Sequence, residues 1–212
     1  MCDYAVEQGL LNKNYRYICG VDEVGRGAIF GPVAAGAVIL DPNQVPGYTV
    51  KGVKDSKKLS PKKRREVAEY VYKTALAFSI GWCWNDEIDE FNILEATKRA
   101  MKMAVKGLQI LPDYVLMDGM EPDFLDIVGH GIVKGDNKSL SIAAASIIAK
   151  VFRDELLTSF ARFFPGYWFS QNKGYPTRKH INTVILRGIT QFHRKSFKIK
   201  GIGTWQINES QS

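Results

Sequence analysis

The stretch Tyr17-Ile18-Cys19-Gly20-Val21-Asp22-Glu23-Val24-Gly25-Arg26-Gly27 reads as an apolar strand that ends on two adjacent carboxylates and breaks into a glycine-rich turn. A second strand, Val33 to Leu40, follows, and Asp41-Pro42-Asn43 closes the unit as a turn. Working outward, the residues before Tyr15 are polar and expected to be peripheral, and a loop runs on to Leu59. Ser60-Pro61 is a helix start, with serine as N-cap and proline at the first helical position, and Val67, Tyr70, Val71 and Thr74 then share one face. Ala75 to Trp84 reads as a strand, Asn92 to Leu108 as a helix, and Tyr114 to Met117 as a short strand. A further strand is expected near His130 to Val133, then a long apolar helix from Ser139 to about Phe164. One more helix spans about His180 to Arg187, before an irregular basic end. Strands alternating with helices make the class α/β, with a helix-covered sheet.

The chain has 212 residues, enough for one domain without a disulfide or zinc staple. Three scattered cysteines (Cys2, Cys19, Cys83), with no C-x-x-C pair, argue for a reducing compartment. No secretory leader and no apolar stretch of spanning length is visible, so a cytoplasmic location without a membrane partner is expected. The net charge of +7 is unevenly spread. Lys51 to Arg65 holds eight basic residues against one acid, and residues 156 to 212 hold nine against one, so the remainder is acidic. Two basic segments around an acidic body suit a polyanion held near an acidic centre; a solvated helix start and a basic tail would give the same pattern.

The acids fall where strands end. Asp22 and Glu23 close the first strand, Asp118 follows Tyr114-Val115-Leu116-Met117, and Asp136 precedes the long apolar helix. Asp154 lies inside that helix on the face of Ile147 and Val151. Taken singly, Asp136 reads as a turn former or cap, and Asp154 as a partner of Lys150 at i, i+4. Asp22 and Glu23 leave opposite faces of a strand and share a site only if the strand ends or kinks there. As a set, carboxylates without cysteine ligands make a hard-oxygen site suited to Mg²⁺ or Mn²⁺. Two such ions about 4 Å apart serve phosphodiester hydrolysis.

These residues resemble the ribonuclease HII (type 2 ribonuclease H) family. Gly20 to Gly27 followed by Gly31-Pro32-Val33 looks like the family's opening motif, and four further stretches match in order: Asp55 to Leu59, Asp118-Gly119, Lys134-Gly135-Asp136 with Ile142 to Ile147 and Ala149-Lys150, and Lys173-Gly174-Tyr175 with Thr177 and His180. His193-Arg194 with Ser196-Phe197 continues the likeness. The resemblance implies a ribonuclease H-like fold: a central mixed β-sheet flanked by helices, with a catalytic core over 1–155 and a basic helical C-terminal extension over 156–212. It implies cutting of the RNA strand of RNA/DNA hybrids, and cutting 5′ to a single ribonucleotide in duplex DNA, leaving a 3′-hydroxyl and a 5′-phosphate. By position, Asp22, Glu23, Asp118 and Asp136 match the metal-binding catalytic carboxylates, with two divalent ions, and Asp154 a further acid.

Only the 2′-hydroxyl marks the target sugar, so the protein must approach it closely, and Gly25 and Gly27 leave room for that. Arg26, Ser56, Lys57, Lys58 and Lys173 can serve phosphates, and Tyr175 resembles the family tyrosine that stacks on the following sugar. The bland alternatives are a tight turn, solvated charge and surface packing. His180 and His193 suit a structural or phosphate-side role, and Phe163, Phe164, Tyr167, Trp168 and Phe169 suit a core cluster under the last helix. The chain departs from the family pattern at Ala28, Ile29, Phe30, Asn172 and Lys198-Ile199-Lys200. The bulk at 28–30 and Asn172 bears on junction preference. A monomer without a clear sliding-clamp peptide in Trp205 to Ser212 is expected. The rivals are a two-metal nuclease indifferent to the 2′-hydroxyl and a non-catalytic nucleic-acid-binding module.

Overall fold

The computed structural model describes residues 3–53 and 59–198. Ser56, Lys57, Lys58 and the tail from 199 lie outside the described residues. Five strands form one mixed sheet: β1 (Ile18–Val24), β2 (Val33–Ile39), β3 (Ala77–Cys83), β4 (Tyr114–Asp118) and β5 (Gly129–Ile132), in the order β3-β2-β1-β4-β5. The first three strands are antiparallel, with Asp22 opposite Gly36. β4 and β5 continue the sheet in parallel with β1, with Val21 opposite Met117 and Asp118 opposite Ile132. The helices are α1 (Ala5–Leu11), α2 (Val45–Lys51), α3 (Pro61–Thr74), α4 (Asn85–Lys106), α5 (Leu140–Phe160), α6 (Phe169–Asn172) and α7 (Arg178–Arg187).

Side chains alternate across each strand, so the two faces of the sheet build two cores. Cys19, Val21, Ala35 and Ala37 pack under Ala100, Met101 and Ala104 of α4. Val38 and Leu40 pack under Ala144, Ala145 and Ile148 of α5, which α3 flanks through Val67 and Val71. The α5 side is unusually tight. A methyl group on Gly20 would sit 2.1 Å from the Ser141 carbonyl carbon, and one on Gly36 would sit 2.4 Å from the Ala145 carbonyl oxygen. A side chain at either place would lift the helix off the strands.

The serine cap of α3 forms as read, with Ser60 Oγ accepting from Lys63 N–H. Elsewhere the structure corrects the reading. The segment before Tyr15 carries α1, and the loop expected up to Leu59 contains α2. α4 begins seven residues early: Asn92 kinks it at φ +69°, and its side chain accepts from Leu94 N–H and Glu95 N–H to start the second half. The first half is used to hold the C-terminal segment, since Asp89 accepts from Lys195 N–H, Ser196 N–H and Ser196 Oγ–H. α5 ends at Phe160, short of the expected end at about Phe164. Beyond it, Tyr167, Phe169 and Val184 enclose Phe30 in a third core. Phe164 packs there too, whereas Phe163 and Trp168 are exposed, so three of the five aromatics expected in this core lie in it and two do not. No helix among the described residues is long and apolar enough to cross a membrane.

Candidate active site

Asp22 lies at the end of β1 and is 5% exposed. Because Gly20 lets α5 come close, Asp22 reaches the Ser146 hydroxyl on that helix, and it also accepts from Glu23 N–H at 2.7 Å. β1 passes from buried to half-buried at Glu23 and runs on to Val24, still paired with β2, while its pairing with β4 stops at Val21. The two acids are nevertheless coupled: Glu23 and Asp118 both act on Asp22, and Asp118 acts on Glu23. Burial, then the Glu23 charge, pushes the Asp22 carboxyl well above its usual range; the Ser146 hydrogen bond opposes this and Asp118 adds to it. Burial raises Glu23 as well, against Arg26, whose guanidinium lies 3.3 Å from Glu23 Oε1.

Asp118 closes β4 and accepts from Gly135 N–H at 2.6 Å. That bond ties β4 to the short 3₁₀ segment Gly135–Asn137, which carries Asp136. Asp136 is 2% exposed and accepts from Asn137 Nδ2 at 2.9 Å. It is not the cap of α5; Ser139 is, through Ile142 N–H. Asp154 instead pairs with Lys150 at 2.8 Å, the i, i+4 partner. It lines a cleft of about 360 Å³ with Arg64, Arg65, Thr158, Gln171 and Lys173, a cleft that Asp22, Glu23 and Asp118 do not line.

The glycine-rich turn and the Lys173-Gly174-Tyr175 turn, 150 residues apart in sequence, meet in space. Ile29 N–H donates to the Gly174 carbonyl at 2.9 Å. Arg153, fully buried in α5, donates to Pro32 O (2.9 Å), Phe30 O (3.1 Å) and Lys173 O (2.8 Å). Gly25 sits at φ +94°, and a methyl there would lie 2.3 Å from Arg153 Nε, so glycine is required on both counts. A second buried arginine, Arg194, donates to Gly31 O and Arg26 O. The half-buried Tyr175 ring lies 5.5 Å from the Arg153 guanidinium and 5.6 Å from Lys150 Nζ. Asn172 braces the turn, accepting from Gly174 N–H and donating to Tyr167 O. Lys173 Nζ donates to Ser170 O, and its ammonium is drawn down by burial.

His180 and His193 have the structural role. Thr190 N–H donates to His193 Nδ1, so that ring carries its proton on Nε2 and donates to His180 Nε2 at 3.2 Å. His180 then donates from Nδ1 to the Tyr175 carbonyl at 2.9 Å. Burial, with His180 alongside, pushes His193 down to about 3, and burial lowers His180, so both rings are neutral. The bulk at 28–30 is also structural: Ala28, Ile29 and Phe30 are buried, with Phe30 stacked on Phe169 at 3.7 Å. Phe30 fills the third core.

Reading the sequence missed Arg153 and Arg194 as the braces of this site. The signal for Arg153 was a cation four residues after Ala149, on a stripe that is otherwise apolar.

Among the described residues, no three acidic, histidine or cysteine side chains converge closely enough to hold an ion as they stand. The donor chemistry nevertheless fits a hard divalent cation. Asp22, Glu23 and Asp118 offer only oxygen, and a cation would relieve the repulsion and desolvation that raise Asp22 and Glu23.

The family model for Ribonuclease HII matches residues 19–200. A ribonuclease HII of Moorella thermoacetica is 49% identical over 195 residues, covering 92% of this chain and 93% of the relative. One of Caldicellulosiruptor saccharolyticus is 46% identical over 194 residues, with 92% and 93% covered. Among solved structures, ribonuclease H2 from Pyrococcus horikoshii shares the fold with a TM-score of 0.71 at 24% identity, covering 86% of this chain and 94% of that one. The Archaeoglobus fulgidus RNase HII, solved in complex with PCNA, gives a TM-score of 0.72 at 25% identity, with 87% and 96% covered. The mixed sheet, the carboxylates on its central strands and near full-length similarity agree: the chain belongs to the ribonuclease HII family of endonucleolytic hydrolases.

Proposed function

We propose that the protein hydrolyses the RNA strand of RNA/DNA hybrids and cuts on the 5′ side of single ribonucleotides embedded in duplex DNA, leaving a 3′-hydroxyl and a 5′-phosphate. The observation that carries this reading is the joining of two turns beside the acidic centre. The chain that leaves Asp22 and Glu23 becomes the Gly25-Arg26-Gly27 turn, which is bonded to the turn that presents Tyr175. A site built only to bind phosphates would not need that junction.

Asp22, Glu23, Asp118 and Asp136 would hold Mg²⁺ or Mn²⁺, two ions in the active complex. When bound, such ions supply Lewis-acid activation of water and stabilise charge on the leaving 3′ oxygen. The chain's own residues supply the positioning. Ser146 and Glu23 N–H hold the Asp22 carboxyl group, and Gly135 N–H holds Asp118. Gly27 is exposed, with open space where a side chain would stand, and neither glycine puts a side chain between this turn and a 2′-hydroxyl. Arg26, half exposed beside Glu23, reaches toward a phosphate, and Tyr175 receives the next sugar on a ring supported from behind by Arg153 and Lys150. Lys173 and the basic segment around residues 51–65, including Ser56, Lys57 and Lys58, extend the phosphate contacts. Asp154, paired with Lys150, steadies that cation under the tyrosine. The biological role that fits is removal of misincorporated ribonucleotides and of RNA primer remnants.

The test compares three duplexes with Mg²⁺ or Mn²⁺: one ribonucleotide in DNA, a long RNA/DNA hybrid, and DNA alone, with Asp118→Asn as control. The reading expects one cut 5′ to the lone ribonucleotide, cutting of the hybrid, none in DNA, and loss of all cutting in the variant. Equal cutting of DNA would overturn it.

A further inference from the structure

Arg153 is an anomaly in the helix that carries it. α5 is a long, largely apolar helix, and Arg153 is fully buried in it. Its hydrogen-bond partners given above are neutral carbonyls, and Asp154, the adjacent acid, is engaged with Lys150. A buried guanidinium without a carboxylate hydrogen-bonded to it is expensive, and a well-packed apolar side chain of similar volume would often stabilise such a place as well or better. What an apolar side chain cannot do is fix several acceptors at once. The rigid planar fork of arginine can.

Those acceptors belong to the two segments that the functional reading places around the substrate sugar pair. Phe30 O and Pro32 O end the strand-to-strand connection that starts with Gly25-Arg26-Gly27, and Lys173 O begins the turn that presents Tyr175. The same guanidinium lies beside both recognition elements. It occupies the space a Gly25 side chain would take, 2.3 Å from the place of a Cβ, and Cζ lies 5.5 Å from the centre of the Tyr175 ring. The gap between the Gly25 backbone and the Tyr175 ring is therefore spanned by this one side chain.

We infer that Arg153 is a positioning residue for substrate selection: it sets the distance between the glycine turn that reads the 2′-hydroxyl and the tyrosine that reads the following sugar. Arg153 then governs how well the enzyme recognises a single RNA-to-DNA junction, and bears much less on the hydrolytic step at the carboxylates. A long hybrid offers many registers and tolerates a loosened gap; a lone ribonucleotide offers one. This inference rests on the proposed reading of the two turns.

The experiment measures kcat and KM of the full chain with Mn²⁺ on a single-ribonucleotide duplex and on a long RNA/DNA hybrid. It uses wild type, Arg153→Lys and Arg153→Met, with a thermal melt of each. A lysine keeps the charge but cannot serve three carbonyls. Misplacement by about 1 Å can cost 100-fold, so the expected result is a loss of about tenfold or more in kcat/KM on the single ribonucleotide. The hybrid should change by less than about threefold, so that the ratio between substrates moves. An equal loss on both substrates, or none on either, overturns the assignment. Should both variants fail to fold, Asn172→Ala decides, because it loosens the same turn with Arg153 intact. It should show the same selective loss, and an equal loss would overturn the inference. A wild-type enzyme that cuts the hybrid and leaves the lone ribonucleotide whole would sink the underlying reading and this inference together, before any variant is compared.

Discussion

Replacing Glu7 by alanine should destabilise the protein far more than its place in a short N-terminal helix suggests. Glu7 is 1% exposed, and its Oε1 accepts from Ser139 Oγ–H (2.6 Å), Ser141 N–H (2.9 Å) and Ser141 Oγ–H (2.6 Å). These groups form the first turn of α5, where a negative charge is favoured by the unpaired N–H groups and the helix dipole. A hydrogen bond to a charged group contributes about 1.5–3 kcal/mol, and the three share one oxygen, so we take their joint loss as about 3 kcal/mol. For a chain of this size each kcal/mol moves the midpoint by roughly 2–4 °C, which gives a fall of roughly 6–12 °C. Thermal unfolding followed by circular dichroism measures it. Glu7→Gln keeps an acceptor oxygen and should fall between the two. The effect should also reach activity, because Ser139 N–H donates to Gly135 O beside Asp136. A Glu7→Ala midpoint within about 2 °C of wild type would refute the claim that α1 anchors α5.

Two further outcomes are specific. His193 is held near 3 when folded against about 6.5 unfolded, so the unfolded chain binds the proton more readily. The stability this contributes is complete above pH 6.5 and is lost as pH falls toward 3, by about 1.4 kcal/mol per pH unit. Urea unfolding at pH 7 and pH 5 should show a drop of roughly 2 kcal/mol from His193 that His193→Asn removes, leaving only the smaller part due to His180; an undiminished drop in the variant would contradict the buried neutral pair. Gly20→Ala should cost about 1–3 kcal/mol in urea unfolding and reduce activity, because the added methyl meets the Ser141 backbone at 2.1 Å and carries Ser146 away from Asp22. Wild-type stability and rate in that variant would mean that the close approach of α5 to β1 does not set the site.

Local signals found much of this architecture. Four strands and the capped helix α3 rest on nearby apolar pattern, proline and serine, and those agree with the tertiary structure. The two short helices α1 and α2 were not legible because their burial comes from distant partners. Glu7 looks like a surface acid until Ser139 and Ser141, over 130 residues away, bury it. The acids were legible by their position near strand ends, but the coupling of Asp22 and Glu23 was not, since period-two alternation separates them and only the folded arrangement, with Asp118 acting on both, joins them. Asp154 was ambiguous for a different reason. A helix face shared with Val151 can be inward or flanking, and Lys150 four residues earlier decides it. The braces were hidden furthest of all. Arg153 reaches carbonyls more than 120 residues upstream, and Arg194 reaches Arg26 O across 168 residues. Carbonyl acceptors leave no mark in a sequence, because every residue has one.

The central claim is that Asp22, Glu23 and Asp118, with Asp136, act as one cation-binding centre. Titration of Mn²⁺ into the metal-free protein, followed by electron paramagnetic resonance, tests it most directly. Wild type should take up Mn²⁺ with an affinity that Asp22→Asn and Asp118→Asn each reduce by about tenfold or more, at unchanged fold by circular dichroism, since each removes one anionic ligand. Asp154→Asn should bind as wild type does. Equal Mn²⁺ affinity in wild type, Asp22→Asn and Asp118→Asn would show that the carboxylates on the central strands do not form a common site, and the account of catalysis built on them would fall.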